Sequence, residues 1–577
     1  MATIVLSAVG AAAGASIGGG VFGLSSVVIG RAIGATIGRA IDQRVMGVGS
    51  QVVETGKVDR FRLTGASEGT AIAQVYGRMR VGGQVIWATQ FQEQSTTTGG
   101  GGKGSPSQPT VTEFSYSISL AIALCEGEIS RVGRIWADGI EIAPEDVTLR
   151  VYTGADDQMP DPKMEAVEGA GRVPAYRGVA YVVLEDLSLS RFGNRVPQFT
   201  FEVMRPDQSD GPKSDMTHLV NAVAMIPGTG EYALATSPVY LEGEVGETTA
   251  ANVNSGSGKT DFETSVDALK DELPNCGSTS LVVSWFGDDL RCGTCNLLPK
   301  VEQDEIDGKD MPWTAGGFTR ATAQLVPRDI DDRVLYGGTP SDQSVVEAIA
   351  ALHDAGQEVM FYPFILMEQL AGNGLIDPWS GAADQPALPW RGRITTSMAP
   401  GQGGTTDGTA AADAEVAAFI GTAQVSDFAI ADGAVVYSGP AEASYRRMIL
   451  HYAHLCAAAG GVDAFCIGSE MRGLTRIRGA NGFPAVDALI QLASDVRGIL
   501  GTECKISYAA DWSEYSGYSL NGDLFYPLDA LWADDNIDFV GIDNYMPLSD
   551  WRDEDGHADE SYGSIYNLDY LKANIEG

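Results

Sequence analysis

Hydrophobic residues beyond Ser50 fall at alternate positions. Phe114, Tyr116, Ile118, Leu120, Ile122 and Leu124 alternate with Ser115, Ser117, Ser119, Ala121 and Ala123, which predicts one long strand with a single buried face. Residues 71–92 predict two more strands about a turn at Gly82-Gly83. Between these lies Thr96–Pro109 (TTTGGGGKGSPSQP), which reads as a loop at a hairpin tip; it lacks the ending and the strand-to-helix setting of a phosphate loop. From about residue 213 short apolar strands alternate with amphipathic helices, the pattern of βα units. Strands are expected at 280–287, 321–326, 358–367, 462–468, 503–510 and 537–544, and helices at 341–355, 441–459 and 484–500. In the second helix Tyr445, Met448, Ile449, Tyr452, Leu455 and Cys456 form an apolar stripe expected to face a sheet. An insertion at about 371–440, rich in Gly, Ala and Asp, follows the third strand. Six βα units are fewer than a closed eightfold barrel needs, so the α/β TIM-barrel-like domain reads as incomplete at residue 577, and the helix-like run YNLDYLKANIEG favours a longer parent.

The first thirty residues follow neither period. Met1–Gly30 carries no charged side chain, a length sufficient to cross a hydrocarbon core of roughly 30 Å. Its first basic residue, Arg31, comes after the apolar run, unlike a secretory leader. Small residues four apart (Gly10, Gly14 and Gly18, then Gly30, Gly34 and Gly38) let helix backbones approach closely, which offsets the helix cost of glycine. Two readings stay open: a buried Ala/Gly-rich helical hairpin within an assembly, and a membrane-active segment. The expected organisation is multidomain: a Gly/Ala-rich helical plug or penetration segment at 1–50, β domains at 51–212 and the barrel at 213–577.

Composition narrows the function. The 577 residues, 44% hydrophobic, suffice for several cores. With 76 acidic residues against 38 basic ones the net charge is −38, which excludes a surface that grips nucleic-acid phosphates. The 7 cysteines are scattered and read as reduced thiols of a chain folded in a cytoplasm. Cys292 and Cys295 have CxxC spacing without a second ligand pair, and His451 with His454 lacks a nearby carboxylate, so neither metal nor cofactor is expected.

Candidate chemistry gathers where strands end, the catalytic face of such barrels. Asp288-Asp289, Glu368, Glu470, Asp511-Trp512 and Asp543-Asn544-Tyr545 follow successive predicted strands. Paired carboxyls beside flat aromatic faces suit glycoside hydrolysis. Glu470 is the candidate catalytic carboxyl, with Trp285, Asp288, Tyr362, Asp511, Trp512, Asn544 and Tyr545 as candidate substrate contacts. Trp379 and Trp390 are further possible stacking faces. The bland reading of Glu470 is a rim residue paired to Arg472 or to a backbone amide.

Several strings carry a resemblance. Val75-Tyr76-Gly77-Arg78-Met79-Arg80-Val81-Gly82-Gly83, Ala123-Leu124-Cys125-Glu126-Gly127-Glu128-Ile129 and Phe192-Gly193-Asn194-Arg195-Val196-Pro197 resemble the hub or tip-attachment proteins of long-tailed phages. Ile467-Gly468-Ser469-Glu470 resembles the fourth-strand end of a large clan of retaining glycosidases, which implies that Glu470 is the general acid/base, except that Ser469 stands where Asn is usual. That clan's nucleophile ends the seventh strand, so Asp511, Asp543 or Asp288 stands in, or the partner lies downstream. Trp285-Phe286-Gly287-Asp288-Asp289, Gly337-Gly338-Thr339-Pro340-Ser341-Asp342 and Pro389-Trp390-Arg391-Gly392-Arg393 are similar to the glycoside-hydrolase-like barrel of the baseplate megatron family of gene transfer agents.

The resemblance implies a virion protein, assembled in the host cytoplasm: a homotrimeric hub of the tail baseplate that closes and gates the tail channel for DNA ejection. It implies contacts with the distal tail protein, a second hub protein and the tape measure, with cell-envelope glycan, and with membrane through residues 1–48. DNA is met only in passage, and an acidic lumen lets a polyanion slide without sticking. The alternative is an envelope glycoside hydrolase acting on peptidoglycan or capsular polysaccharide.

Overall fold

The computed structural model describes residues 71–98, 111–142, 147–206, 216–227, 230–242, 248–254 and 258–576, with short strands at Gly20–Val21, Leu24–Ser25 and Val53–Thr55. The helices and membrane contact expected within residues 1–50, and the glycine-rich loop beyond Thr98, lie outside the described residues. The chain is multidomain and divides into two compact units, one of residues 1–217 with 255–258 and one of 218–254 with 259–577.

The first unit is built from β1 (Gly77–Val81), β2 (Gln84–Ala88), β3 (Gln92–Thr98), β4 (Val111–Glu126), β5 (Arg131–Ala137), β6 (Ile140–Ile142), β7 (Thr148–Tyr152), α1 (Pro162–Glu168), β8 (Val179–Ser188) and β9 (Phe199–Arg205). β4, 16 residues long, pairs antiparallel with β2, β3 and β8, and parallel with Val53–Thr55. A second sheet has the order β1-β9-β5-β6. Ile118, Leu120, Ile122 and Leu124 pack with Ile135, Phe201 and Val203 in one core. The expectation of a single buried face is corrected by the other side of β4. There Ala121 and Ala123 are small enough to admit Tyr181, Val183 and Met164, which form a second core.

The second unit carries β10 (Ala222–Met225), α2 (Asp261–Glu272), β11 (Ser278–Gly287), α3 (Asp342–Asp354), β12 (Glu358–Met367), α4 (Ala410–Ile420), α5 (Tyr445–Ala458), β13 (Ala464–Ser469), α6 (Pro484–Leu500), β14 (Lys505–Asp511) and β15 (Gly541–Asp543). β10 to β15 lie side by side in chain order and every neighbouring pair is parallel, which makes a curled TIM-barrel-like sheet. Its membership differs from expectation in one strand. Residues 321–326 contribute only Gln324–Leu325, paired with Lys300–Val301 away from this sheet, and the opening strand is instead β10, four residues of small or moderate size. The strand ending before Glu470 is still the fourth.

Alternation along β12 separates two faces. Val359, Phe361, Ile365 and Met367 pack into the helix-side core, while Tyr362, Phe364 and Leu366 point to the opposite, less buried side. Helix α5 is not a one-sided stripe as expected. It is buried almost all round, His451 and His454 included, because part of the 371–440 insertion folds over it: the hairpin of Phe428–Ala431 and Ala434–Tyr437 packs on α5. Ser341 and Ser444 cap α3 and α5 by accepting backbone N–H bonds at 3.2 and 3.3 Å.

Candidate active site

The fourth strand ends in an irregular turn that aims one carboxylate. The register between β13 and β14 shifts between Cys466 and Ser469, and Glu470 then takes a left-handed backbone with φ of 50°. A non-glycine residue there costs about 1–3 kcal/mol, a strain characteristic of functional sites. The turn is held by Glu470 N–H donating to the Ala509 carbonyl at 2.8 Å and by the Tyr445 hydroxyl donating to the Ile467 carbonyl at 2.6 Å. Gly468 is required beneath it, since a Cβ would meet Tyr445 Oη at 2.1 Å.

Glu470 is buried, and its Oε2 accepts from Trp390 Nε1 at 2.7 Å and meets Arg391 Nη2 at 3.1 Å. Arg391, also buried, donates to the Ser469 carbonyl and to Ser469 Oγ, both at 3.0 Å, and its guanidinium lies 3.7 Å from the centre of the Phe364 ring. Glu470 is therefore paired to Arg391, not to Arg472. The hydroxyl at Ser469, where the resembled clan carries an amide, is occupied by this arginine.

Asp543, at the end of β15, brings a second acid. Its Oδ2 accepts from Tyr362 Oη at 2.5 Å, and the Glu470 carboxylate stands close enough to act on it electrostatically. Burial pushes the Asp543 carboxyl up to about 6; the negative charge of Glu470 adds to this, against the Tyr362 hydroxyl and the Arg391 charge. Asp511 lies alongside, with Oδ1 accepting from Ser513 N at 2.9 Å. Beneath it Glu514 is buried and accepts from Thr475 Oγ1, Tyr508 Oη and Asp511 N at 2.5, 3.0 and 3.1 Å; burial pushes its carboxyl up to about 7.

These groups open onto a cavity of about 600 Å³ lined by Trp390, Arg391, Glu470, Arg472, Asp511, Trp512, Ser513 and Tyr545. Trp390, Trp512 and Tyr545 expose 37%, 38% and 68% of their surface, so flat apolar faces flank the acids. Of the residues expected from sequence, Glu470, Asp511, Trp512 and Tyr545 meet here, and Tyr362 joins through Asp543.

Three expected contacts do not line the cavity. Trp285 is fully buried among the helices, its indole N–H donating to Tyr452 Oη at 2.9 Å, because it shares strand parity with Leu281 and Val283. Asp288 accepts twice from Asn296, at 2.7 and 2.9 Å. Asn544 Oδ1 accepts from the Met546 amide at 3.0 Å. Trp379, weighed as a stacking face, instead donates its indole N–H to the Arg393 carbonyl at 2.8 Å.

Arg391 and Glu514 were not singled out from sequence as site residues. For Arg391 the only local signal is the Pro-Trp-Arg-Gly-Arg string, which lies about eighty residues from the acid it holds.

All seven cysteines are free and buried, and burial pushes the Cys292 and Cys295 thiols up, opposite to what a reactive thiolate requires. His454 donates from Nδ1 to the Leu450 carbonyl at 2.7 Å and stacks on Phe428, and burial lowers its pKa. Among the described residues no cluster of three or more His, Cys, Asp or Glu side chains is arranged to hold a metal ion, and no helix is long and apolar enough to cross a membrane.

Residues 443–577, which supply α5 to β15 and with them Glu470, Asp511 and Asp543, match the family model of the GTA TIM-barrel-like domain. They form a GTA TIM-barrel-like domain. A chain from the structure titled "Virion of native gene transfer agent (GTA) particle" is 55% identical, covering 36% of this chain and 40% of that one, with a TM-score of 0.21. This chain therefore spans about two fifths of the virion chain it matches. A GH113 β-1,4-mannanase is 14% identical, covering 54% of this chain and 62% of that one, with a TM-score of 0.25. The GH113 β-mannanase of Alicyclobacillus acidocaldarius, solved with ManMIm, is also 14% identical, covering 62% and 67%, with a TM-score of 0.26. At those TM-scores the mannanases carry no argument about this barrel. No curated protein matches the chain. The GTA TIM-barrel-like domain agrees with the resemblance to gene transfer agent proteins read from the sequence.

Proposed function

We propose that this chain is a structural component of a gene transfer agent particle: a hub of the tail baseplate that closes and gates the tail channel for DNA ejection and turns a glycosidase-like barrel toward the cell envelope. The observation that carries the reading is the GTA TIM-barrel-like domain at 443–577. The 55% identity with a chain of the native GTA virion supports it. So does the net charge of −38, which suits a wall past which DNA must slide. On this reading the chain assembles as a homotrimer with distal tail, second hub and tape-measure proteins. Residues 1–50 form the plug, 51–212 the hub and 213–577 the barrel.

The groove is better arranged to hold a glycan than to cut one. A retaining pair of carboxyls stands about 5–5.5 Å apart across the scissile bond. Here Arg391 and Trp390 already occupy Glu470 Oε2, and the Tyr362 hydroxyl holds Asp543 Oδ2. In this role Glu470, Asp511, Trp512 and Tyr545 contact sugar. Cells lacking the chain should release particles without a closed baseplate that fail to deliver DNA; particles with complete tails and normal delivery would overturn the proposal.

A second reading, an envelope glycoside hydrolase with Glu470 as general acid/base, is favoured by the strained backbone at Glu470 and the raised carboxyl of Asp543 beside it. It requires that the full-length parent hydrolyse peptidoglycan or capsular polysaccharide and that Glu470→Gln abolish turnover. Equal turnover by both removes Glu470 from any mechanism.

A further inference from the structure

Arg472, in the wall of the candidate site, is a guanidinium without a side-chain partner among the described residues. In a chain with two acidic residues for every basic one, arginines readily find carboxylates, and Arg391 in the same cavity is engaged by Ser469 and Glu470 through Nε and Nη2. Arg472 lines the cavity yet makes no side-chain hydrogen bond or ion pair with any described residue. Its charged neighbour is another cation: Arg476, whose guanidinium is pushed down to about 10 by burial and by the charge of Arg472. Across the same opening stand the exposed faces of Trp512 and Tyr545, and the carboxyls of Glu470 and Asp511. The cavity therefore offers stacking surfaces, acceptors for hydroxyl groups and one uncommitted bidentate donor. A neutral sugar offers the third only uncharged hydroxyl acceptors. A carboxylate takes guanidinium N–H bonds in parallel, the strongest pairing available to this donor.

We infer that the groove selects acidic glycans, with Arg472 receiving a sugar carboxylate while the aromatic faces hold the rings. The inference rests on reading the groove as a glycan site and adds the class of glycan. The carboxylate has two chemical sources, a hexuronate ring or the lactyl ether of a muramyl residue, and both present the same group to Arg472.

The test is calorimetric titration of the full chain with three probes: a hexuronate tetrasaccharide, the same oligosaccharide with its carboxylates reduced to alcohols, and a short peptidoglycan glycan strand. At least one carboxylated probe should bind about tenfold or more tightly than the reduced one, the scale of one charge-assisted pair. Whichever does so names the source. Arg472→Met should bring that ratio to about one, and Arg472→Lys should keep part of it. Equal binding of carboxylated and reduced probes by the native chain overturns the inference and leaves the glycan site standing, as does a ratio that survives Arg472→Met in a variant with native circular dichroism. If no probe binds the native chain, the glycan site and the inference fail together.

Discussion

Arg391→Met tests whether the insertion holds the acid at the end of the fourth strand. The guanidinium and the Glu470 carboxylate are both about 5% exposed, so their pairing is little screened by solvent. Met fills much of the apolar volume of the arginine but supplies no donor, leaving Glu470 with Trp390 Nε1. Removing one partner of a buried pair costs about 3–5 kcal/mol, mostly from stranding the remaining charge. The lost stacking on Phe364 adds up to about 1 kcal/mol. Two compact units make a global melt poorly two-state, so the readout is hydrogen exchange in residues 464–475 against urea. Local opening there should become easier by about 3 kcal/mol or more at neutral pH, a factor above 100 in protection. Neutralising the acid should remove most of the cost, so Arg391→Met in a Glu470→Gln background should lose far less. Unchanged protection in the single variant, or an equal loss in both backgrounds, refutes the reasoning.

Three further outcomes follow from the same geometry. Asp543 and Glu514 are carboxyls raised to about 6 and about 7 from ordinary values of 3.8 and 4.5. The fold prefers their neutral forms, so their contribution is complete below the unfolded values and is lost as pH rises through 6 and then 7. Urea midpoints of the barrel should fall between about pH 4 and 7 and level off above that, and Asp543→Asn should flatten the part between about 4 and 6; a slope equal to the native one would be evidence against the raised Asp543 carboxyl. Gly473→Ala would place a Cβ 2.6 Å from the Ile394 carbonyl oxygen and 2.8 Å from that of Gly392, backbone atoms that cannot swing aside. It should cost about 1–3 kcal/mol and loosen Arg391; an unaltered urea midpoint contradicts this. Trp512→Ala should weaken glycan binding severalfold while changing stability by less than about 1 kcal/mol, because the ring is 38% exposed. Unaltered affinity in calorimetry would remove the stacking face.

Much of the barrel is legible in the chain because its signals are local. Glu358–Met367 was expected at 358–367 and Pro484–Leu500 at 484–500, since period-2 and period-3.6 patterns need only nearby residues to be read. β10 was missed because Ala222–Met225 is too short to show a period, and 321–326 was misplaced because an apolar run does not say which strand it will pair with. Trp285 shows the limit within a correctly expected strand: its place near the strand end suggested the site, but its parity set it in the core.

The candidate site divides the same way. The chain by itself determined that acids and aromatic residues would follow the strands, because in a parallel sheet every strand end reaches the same rim. Only the tertiary structure decided which of them meet. Arg391 and Trp390 reach Glu470 from an insertion, and Asp543 meets it from a strand two places away, so the contacts depend on loop closure and sheet curl that no local pattern encodes. The environment that raises the Asp543 and Glu514 carboxyls and pairs Arg391 with Glu470 is a property of burial, and burial exists only once the chain has folded.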